Sequence, residues 1–291
     1  ESRDIMFLNT ALALPLLLGY GPSTGENFKQ FDKLLLWLLL FWIVIDSAMY
    51  ITGNSIWENG AFIGGIGNPS SYGFMLIYTY EVASMEIKNI RVRSLSRLVM
   101  FALMLLSQAL MPLLVFILIQ FIKLPKIIVF LALIILFGIG NQLDLILDFL
   151  PDEHWKFKLV ALINFLENFD STDANLSIST RIEFFEGVKL LNSDILTFLF
   201  GNVNDTFYNS GDSQYVTYLT SFGVPVFLLF IFALINLYVK AKRTSLKYFA
   251  IAFLLILFTN RILDYWPIAI VIFICINRIN YEHRNNKQFF S

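Results

Sequence analysis

Long apolar runs, some without a single charge, constrain this chain more than any motif in it. Val216–Val239 is the clearest, because it contains no charged residue and exceeds the roughly 20 residues with which a helix crosses the hydrocarbon core of a bilayer. Apolar residues make up 57% of the chain and charged residues 15%, whereas soluble domains carry about 25% charged residues. The sequence therefore predicts an all-α, polytopic transmembrane helical bundle, with residues 1–291 as a single integral membrane domain.

Other apolar segments predict further membrane helices. The chain begins with Glu1 rather than Met, and we expect N-terminal helices of a longer protein to be missing. Two segments, Leu98–Ile122 and Tyr248–Asn277, fit either one long helix or a tight pair of helices. The predicted single spans are Ile5–Tyr20, Leu34–Ile51, Tyr72–Ile87, Ile127–Leu143 and Val216–Val239.

The distribution of Lys and Arg favours the paired reading of both segments. Cytoplasmic loops carry an excess of these residues, and the short linkers Lys88–Arg97, Lys123–Lys126 and Lys240–Lys247 are rich in them, as is the C-terminal tail. All can face the cytoplasm together only if each ambiguous segment turns back, near Gln108 and near Asp264. For Glu81 and Glu86 we expect ion pairs with Lys88 or Arg91.

The same topology puts the long segment 144–215 on the outer, periplasmic side. It contains twelve acidic and four basic residues. Apolar residues at helical spacing, from Leu159 to Phe169 and from Ile182 to Leu191, predict two amphipathic helices in it. Such helices would form a lid or platform on the outer membrane face.

Several classes of site are excluded by residue type. One cysteine and two histidines leave no disulfide and no His- or Cys-based metal site. No phosphate-binding glycine loop and no basic nucleic-acid surface is present, and we expect no cofactor.

Polar and charged groups instead gather on the predicted outer side. They include a glycine-rich stretch, Asn59–Met75, whose turn ends at Asn68 and exposes backbone amides to an anion; a plain flexible loop is the alternative. Charged residues at membrane corners mark function by default. For Arg261 the alternatives are snorkelling or an ion pair with Asp264, and for Arg181 a solvated helix face. The candidates from the loop and the last corner are Arg181, Glu183, Asp205, Tyr208, Asp212, Tyr215 and Arg261.

Four motifs occur in an order that resembles a known family. They are "GAFIGGIGNPSSYG" (Gly60–Gly73), "SQAL" (Ser107–Leu110), "TRIEFFEGVKLLNSDILTFLFGN" (Thr180–Asn202) and "GDSQYVTYLTSFGVPVF" (Gly211–Phe227). Their order, spacing and common side resemble the O-antigen polymerase and O-antigen ligase superfamily of bacterial envelope glycosyltransferases, over about residues 34–277. Gln108 stands where the family has Arg, which leaves one fewer cation for phosphate. Asp212 stands where the family's ligases have a His base, and the missing His favours the polymerase branch.

The resemblance implies an activity and a set of roles. A polymerase of this kind joins polyprenyl-pyrophosphate-linked oligosaccharide repeat units at the outer face of the bacterial inner membrane, in lipopolysaccharide or capsule-type biosynthesis. A metal is not demanded, because the leaving group already carries its charge as pyrophosphate. Besides the lipid-linked substrate and membrane lipid, a chain-length regulator protein is a candidate partner.

The implied roles divide between a base and groups that bind substrate. Asp212, or alternatively Glu183 or Asp205, would accept the proton of the attacking hydroxyl. The alternative for Asp212 is an N-cap of the helix that begins near Tyr215. The predicted ligands of pyrophosphate and sugar are Arg181, Arg261, Asn68, Gln108, Tyr208 and Tyr215, with Tyr218 as a further stacking candidate; core packing is the alternative for the tyrosines. O-antigen ligase, a lipid-linked saccharide transporter or flippase, and a non-catalytic assembly component remain alternative functions.

Overall fold

The computed structural model describes residues 28–53, 69–125, 195–202 and 213–288, except 259 and 265, together with the single residues 13, 14, 17 and 160. The described residues form helices and no strands, as predicted. The helices are α1 (Phe28–Ile51), α2 (Pro69–Glu86), α3 (Ile90–Leu106), α4 (Leu110–Lys123), α5 (Ile195–Phe200), α6 (Gln214–Ala241), α7 (Lys247–Ile256), a 3₁₀ turn (Ile262–Asp264) and α8 (Trp266–Gln288). The predicted spans Ile5–Tyr20, except residues 13, 14 and 17, and Ile127–Leu143 lie outside this part of the chain, as do the two amphipathic helices of the 144–215 segment, except residue 160.

Helix α2 is the central helix of the bundle. It packs against α1, α3, α4, α7 and α8, and nearly every side chain from Ser71 to Ala83 is buried. A helix that is apolar on all sides is expected in such a position. Gly73 allows a close approach between α2 and α4, since a Cβ there would lie 2.6 Å from Cβ of Pro112 on α4.

Helices α3 and α4 form the hairpin predicted for Leu98–Ile122. The rings of Phe101 and Phe116 lie 5.7 Å apart, one from each helix. The chain turns at Ser107 and Gln108, where Gln108 has a φ of +49°. Pro112 follows in the first turn of α4, where a missing N–H costs no helical hydrogen bond. The predicted bend near Ser107–Pro112 is therefore present.

The ends of several helices that carry Lys and Arg meet at one end of the bundle, here called the basic end. Lys123 Nζ of α4 lies 2.6 Å from Glu81 Oε1 of α2 and 4.5 Å from the centre of the Tyr248 ring of α7. Lys240 Nζ donates to Asn280 Oδ1 at 2.9 Å, which joins α6 to α8. Arg93 Nη1 of α3 donates to Ser84 O of α2 at 3.2 Å. The three basic linkers thus share one end, as the charge pattern predicted.

The partners of the two glutamates at this end differ from the prediction. Glu81 pairs with Lys123, and Glu86 accepts from Arg278 Nη2 at 3.3 Å, so the expected pairing with Lys88 or Arg91 is wrong. Residues distant in sequence replace the neighbouring ones because the ends of α4 and α8 converge on the end of α2.

Glu282 on α8 fastens the α6–α7 connection at the basic end, beyond the apolar part of α8. It accepts from Arg278 Nε at 2.8 Å, and from the backbone N and Oγ of Ser245 at 2.8 Å and 2.7 Å. Burial raises the pKa of the Glu282 carboxyl, but these hydrogen bonds and the charge of Arg278 outweigh burial and hold the pKa below its ordinary value. The ionised carboxylate is therefore the form that stabilises this end.

Glu282→Gln is expected to lower the free energy of unfolding at pH 7 by about 1–3 kcal/mol, the usual worth of hydrogen bonds to a charged group. Because the folded pKa is depressed, the contribution of Glu282 is present above its unfolded pKa and is lost as the pH falls through the folded pKa. Unfolding of both proteins in detergent, followed from pH 7 to pH 4, should show the difference shrinking. A difference that stays constant across this range would contradict the assignment.

Helix α6 is not the single straight span predicted for Val216–Val239. Gly223 has φ +80° and ψ 172°, which interrupts the helix. The rings of Tyr218 and Phe230 are stacked with centroids 3.8 Å apart, whereas twelve residues of straight helix would separate them by about 18 Å. The arm 214–222 therefore folds back along the arm 224–241, and this correction changes where Ser213 and Gln214 lie.

Helix α5 crosses this fold-back by direct backbone contact. A Cβ at Gly201 would lie 2.6 Å from Gly223 N, and a Cβ at Gly223 would lie 2.7 Å from Phe200 N. Asn202 N also donates to Thr220 O at 2.9 Å. Both glycines have positive φ, so backbone conformation and lack of a side chain are required together at this crossing.

The surface of the described bundle is strongly apolar. By length and composition counted along the chain, α6 is the one described helix that meets the requirement for a membrane span, and Gly223 divides it into two arms. Leu110–Lys123 and Lys247–Ile256 are apolar but shorter. Large apolar side chains are exposed on several helices, among them Phe41 on α1 and Phe232 on α6.

Candidate functional site

Four separate segments meet at the end of the bundle opposite the basic end, here called the polar end. The rings of Phe74 and Phe253 lie 6.3 Å apart, so the start of α2 is beside the end of α7. Gly73 approaches Pro112 at the start of α4, and Gln214 N donates to Leu257 O at 3.0 Å. The polar end thus combines the start of α2, the 107–109 turn, the start of α6 and the 257–264 connection.

An ion pair is buried at this end. Arg261 Nε lies 2.5 Å from Asp264 Oδ2, and the two side chains are only 14% and 4% exposed. The 3₁₀ turn Ile262–Asp264 holds the carboxylate in place, and Asn260, also buried, ties the connection to α7 through its N–H and Ile256 O at 2.9 Å. Of the alternatives for Arg261, the pair with Asp264 is the one present. A buried pair fixes the guanidinium rather than leaving it in solvent.

The start of α6 presents two consecutive buried polar side chains. Ser213 occupies the N-cap position, in an extended conformation, and its side chain makes no capping hydrogen bond. Gln214 Oε1 accepts from Leu263 N at 3.4 Å, in the turn that carries Asp264. Asp212 lies outside the described residues, so the alternative in which it caps this helix stays a prediction.

The contacts of Tyr215 and Tyr218 favour packing over sugar stacking. The ring of Tyr215 lies 4.3 Å from that of Phe258, and its hydroxyl donates to Leu254 O at 3.1 Å. Tyr218 is buried against Phe230. Both rings therefore hold the arm 214–222 against its neighbours.

Gln108 lies at the polar end in the turn between α3 and α4. Its φ of +49° is unusual for a residue other than glycine. Such conformations cost of order 1–3 kcal/mol and persist where the surroundings impose them. Ser107 beside it is buried and donates to Met104 O at 2.8 Å.

The remaining predicted site residues lie outside the described residues. Two of them directly precede described residues at the polar end: Asn68 comes before Pro69, the first residue of α2, and Asp212 comes before Ser213. That Arg181 and Arg261 face one outward cavity, together with the Gly60–Ser71 turn, stays a prediction. The predicted residues outside the described ranges are Asn68, Arg181, Glu183, Asp205, Tyr208 and Asp212.

Three buried polar residues at the polar end were not predicted from the sequence. Gln214 and Ser213 adjoin a predicted helix start, a place where polar residues are usually solvated. Asp46 on α1 is buried and lies within electrostatic range of Tyr72. A carboxylate inside an apolar span indicates a functional site, so this residue could have been identified from the sequence.

Comparisons with protein-family models, with characterised proteins and with solved structures found no match to this chain.

Proposed function

We propose that the chain is a multi-pass protein of the bacterial inner membrane, with the basic end in the cytoplasm and the polar end facing the periplasm. Two observations support this. In the most apolar stretch of α6 only 28% of the residues are buried, which is low for the core helix of a soluble protein. Lys and Arg are concentrated at one end of the bundle, as the positive-inside rule requires.

Cysteine labelling tests this orientation. Thr52→Cys, exposed just after α1, is expected to react with a membrane-impermeant maleimide in intact spheroplasts, whereas Lys88→Cys, exposed between α2 and α3, should react only after lysis. The natural Cys275 is buried and should give little background. Labelling of Lys88→Cys from outside would overturn the orientation.

We further propose that the protein is a glycosyltransferase that polymerises polyprenyl-pyrophosphate-linked oligosaccharide repeat units. The observation that carries this proposal is the meeting at the polar end of three segments that contain family-like motifs, the start of α2, the 107–109 turn and the start of α6. They share this end with the 257–264 connection, which contains the buried pair of Arg261 and Asp264. These segments share one end of the bundle although they lie up to about two hundred residues apart in the sequence.

The proposed chemistry assigns roles to Arg261 and Asp264 at this end, and to Arg181 and Asp212, which lie outside the described residues. A sugar hydroxyl of one lipid-linked unit attacks the anomeric carbon of another; a new C–O bond forms, and the bond from that carbon to the pyrophosphate oxygen breaks. Asp212 accepts the hydroxyl proton. Arg181 and Arg261 stabilise the departing pyrophosphate, for which a guanidinium offers two parallel donors. Asp264 orients Arg261 through Nε.

The test is conversion of a purified lipid-linked repeat unit into a ladder of longer products by the protein in proteoliposomes. A polymerase produces a ladder from this substrate alone. Transfer of glycan only to a lipid A-core acceptor would indicate a ligase instead, and movement of the unmodified substrate across the bilayer would indicate a flippase. Either result without a ladder overturns the proposal.

A further inference from the structure

The start of α6 contains two hydrogen-bonding groups that the described fold does not use. Gln214 is 0% exposed and Ser213 is 3% exposed. Among the residues that the structure describes, neither Gln214 Nε2 nor Ser213 Oγ has a hydrogen-bond partner. Buried polar atoms are nearly always paired, and one left unpaired costs about 1–3 kcal/mol. Two on successive residues require an explanation.

The side-chain amide of Gln214 is held in one orientation, and this orientation fixes the direction of its unpaired nitrogen. Its Oε1 accepts from Leu263 N, and its backbone N–H donates to Leu257 O. The amide is therefore held from the oxygen side, and the NH₂ group points away from these partners. An NH₂ group can only donate, so its missing partner is an acceptor.

The surroundings favour a negatively charged acceptor. The arm 214–222 begins at these residues, and the first turn of α6 contains no acidic side chain. The N-terminus of a helix carries partial positive charge and favours anions. Arg261, on the same connection as Leu263, adds a full positive charge, although Asp264 partly offsets it.

The fold-back at Gly223 explains why these donors are buried. In a straight α6 the residues before Val216 would continue along the helix axis, away from α7. Because the arm 214–222 reverses, its first residue is bonded to Leu257, at the end of α7, and the helix N-terminus is placed inside the bundle beside the 3₁₀ turn.

We propose that Ser213 Oγ and Gln214 Nε2 donate hydrogen bonds to a pyrophosphate group held beside Arg261. In the lipid-linked substrate, on which this assignment rests through the proposed function, that group is the leaving group of the transfer. The assignment adds two neutral donors to the cations and so defines where the pyrophosphate lies relative to α6.

Ser213→Ala is the most informative variant. The hydroxyl makes no bond within the described structure, so its removal should leave the stability of the ligand-free protein unchanged or raise it. Removal of one donor to a charged ligand should weaken binding on the order of 10-fold or more. Gln214→Met, of similar length, removes the donor together with the acceptor of Leu263 N, and should weaken binding at least comparably. The control is Thr220→Val on the same arm, whose hydroxyl already donates to Val216 O at 2.9 Å.

Binding is measured by calorimetry on the full chain in detergent, with inorganic pyrophosphate and with farnesyl pyrophosphate as separate probes. The expected result is binding to wild type and to Thr220→Val, and weakened binding to Ser213→Ala and Gln214→Met with unchanged melting of Ser213→Ala. Tighter binding of the farnesyl compound would identify the lipid-linked form as the ligand, and equal binding would identify free pyrophosphate. Undiminished binding to Ser213→Ala and Gln214→Met, or no binding to wild type, overturns the assignment.

The binding test of the two donors and the polymerase assay can succeed or fail independently of each other. A ladder formed normally by both variants would leave the proposed function standing and reject the two donors. If the wild type bound pyrophosphate but formed no ladder, and both variants lost this binding, the two donors would be supported and the polymerase function rejected.

Discussion

Replacing Asp212 by asparagine is expected to slow ladder formation by about 10²–10⁴, the usual cost of losing a general base. Asparagine retains the size of the side chain and one oxygen but cannot accept a proton from the attacking hydroxyl. The protein should still fold and insert, because only the titratable group changes. The measurement is the initial rate of ladder formation in proteoliposomes, normalised to the inserted protein.

The choice of asparagine separates a catalytic role of Asp212 from its strongest structural alternative. A helix-capping role for Asp212 would predict normal activity in Asp212→Asn, since asparagine caps helices well. A large loss of activity in Asp212→Asn therefore could not be assigned to a lost cap. Glu183→Gln and Asp205→Asn serve as matched controls. If one of these loses activity and Asp212→Asn does not, the base has been misassigned.

Arg181→Lys examines the other half of the mechanism. Lysine retains the charge but not the planar fork that binds phosphate at two points, so a partial loss is expected.

Local signals were sufficient to predict the outline of the bundle. A helix is predicted over Tyr72–Ile87, and α2 covers this span except Ile87 but begins earlier, at Pro69, since proline at the first position of a helix is favoured. The Ser107–Pro112 bend followed from the requirement that basic linkers lie on one side, and the described helices turn there. Both features depend on residues close to the place where they act, and a single sequence displays such residues directly.

Features set by distant contacts could not be predicted in this way. Glu81 had charged neighbours in sequence, yet its partner is Lys123, because packing of α4 against α2 brings that side chain to it. The reversal of α6 was missed because an apolar run containing Gly223 and Pro225 also fits a membrane helix, in which both residues are tolerated. The contact of α5 with Gly223 determines the conformation, and a long connection separates α5 from α6 in the sequence.

The reversal predicts a large effect for Gly223→Ala, which is expected to destabilise the fold by about 3 kcal/mol or more, at the upper end for single substitutions. Two costs combine. Alanine at a φ of +80° is strained by roughly 1–2 kcal/mol. Its Cβ would also lie 2.7 Å from Phe200 N, and a backbone atom cannot rotate away as a side chain can.

Gly53→Ala separates these two costs. Gly53 has a φ of +76°, and a Cβ there would meet nothing within 4 Å, so this variant carries the conformational strain without the clash. Gly201→Ala should resemble Gly223→Ala, because its Cβ would lie 2.6 Å from Gly223 N. Thermal unfolding in detergent should therefore rank wild type above Gly53→Ala and both above the two crossing variants. If Gly223→Ala were as stable as Gly53→Ala, α5 would not cross the fold-back, and the buried position of Ser213 and Gln214, which depends on the reversal, would lose its support.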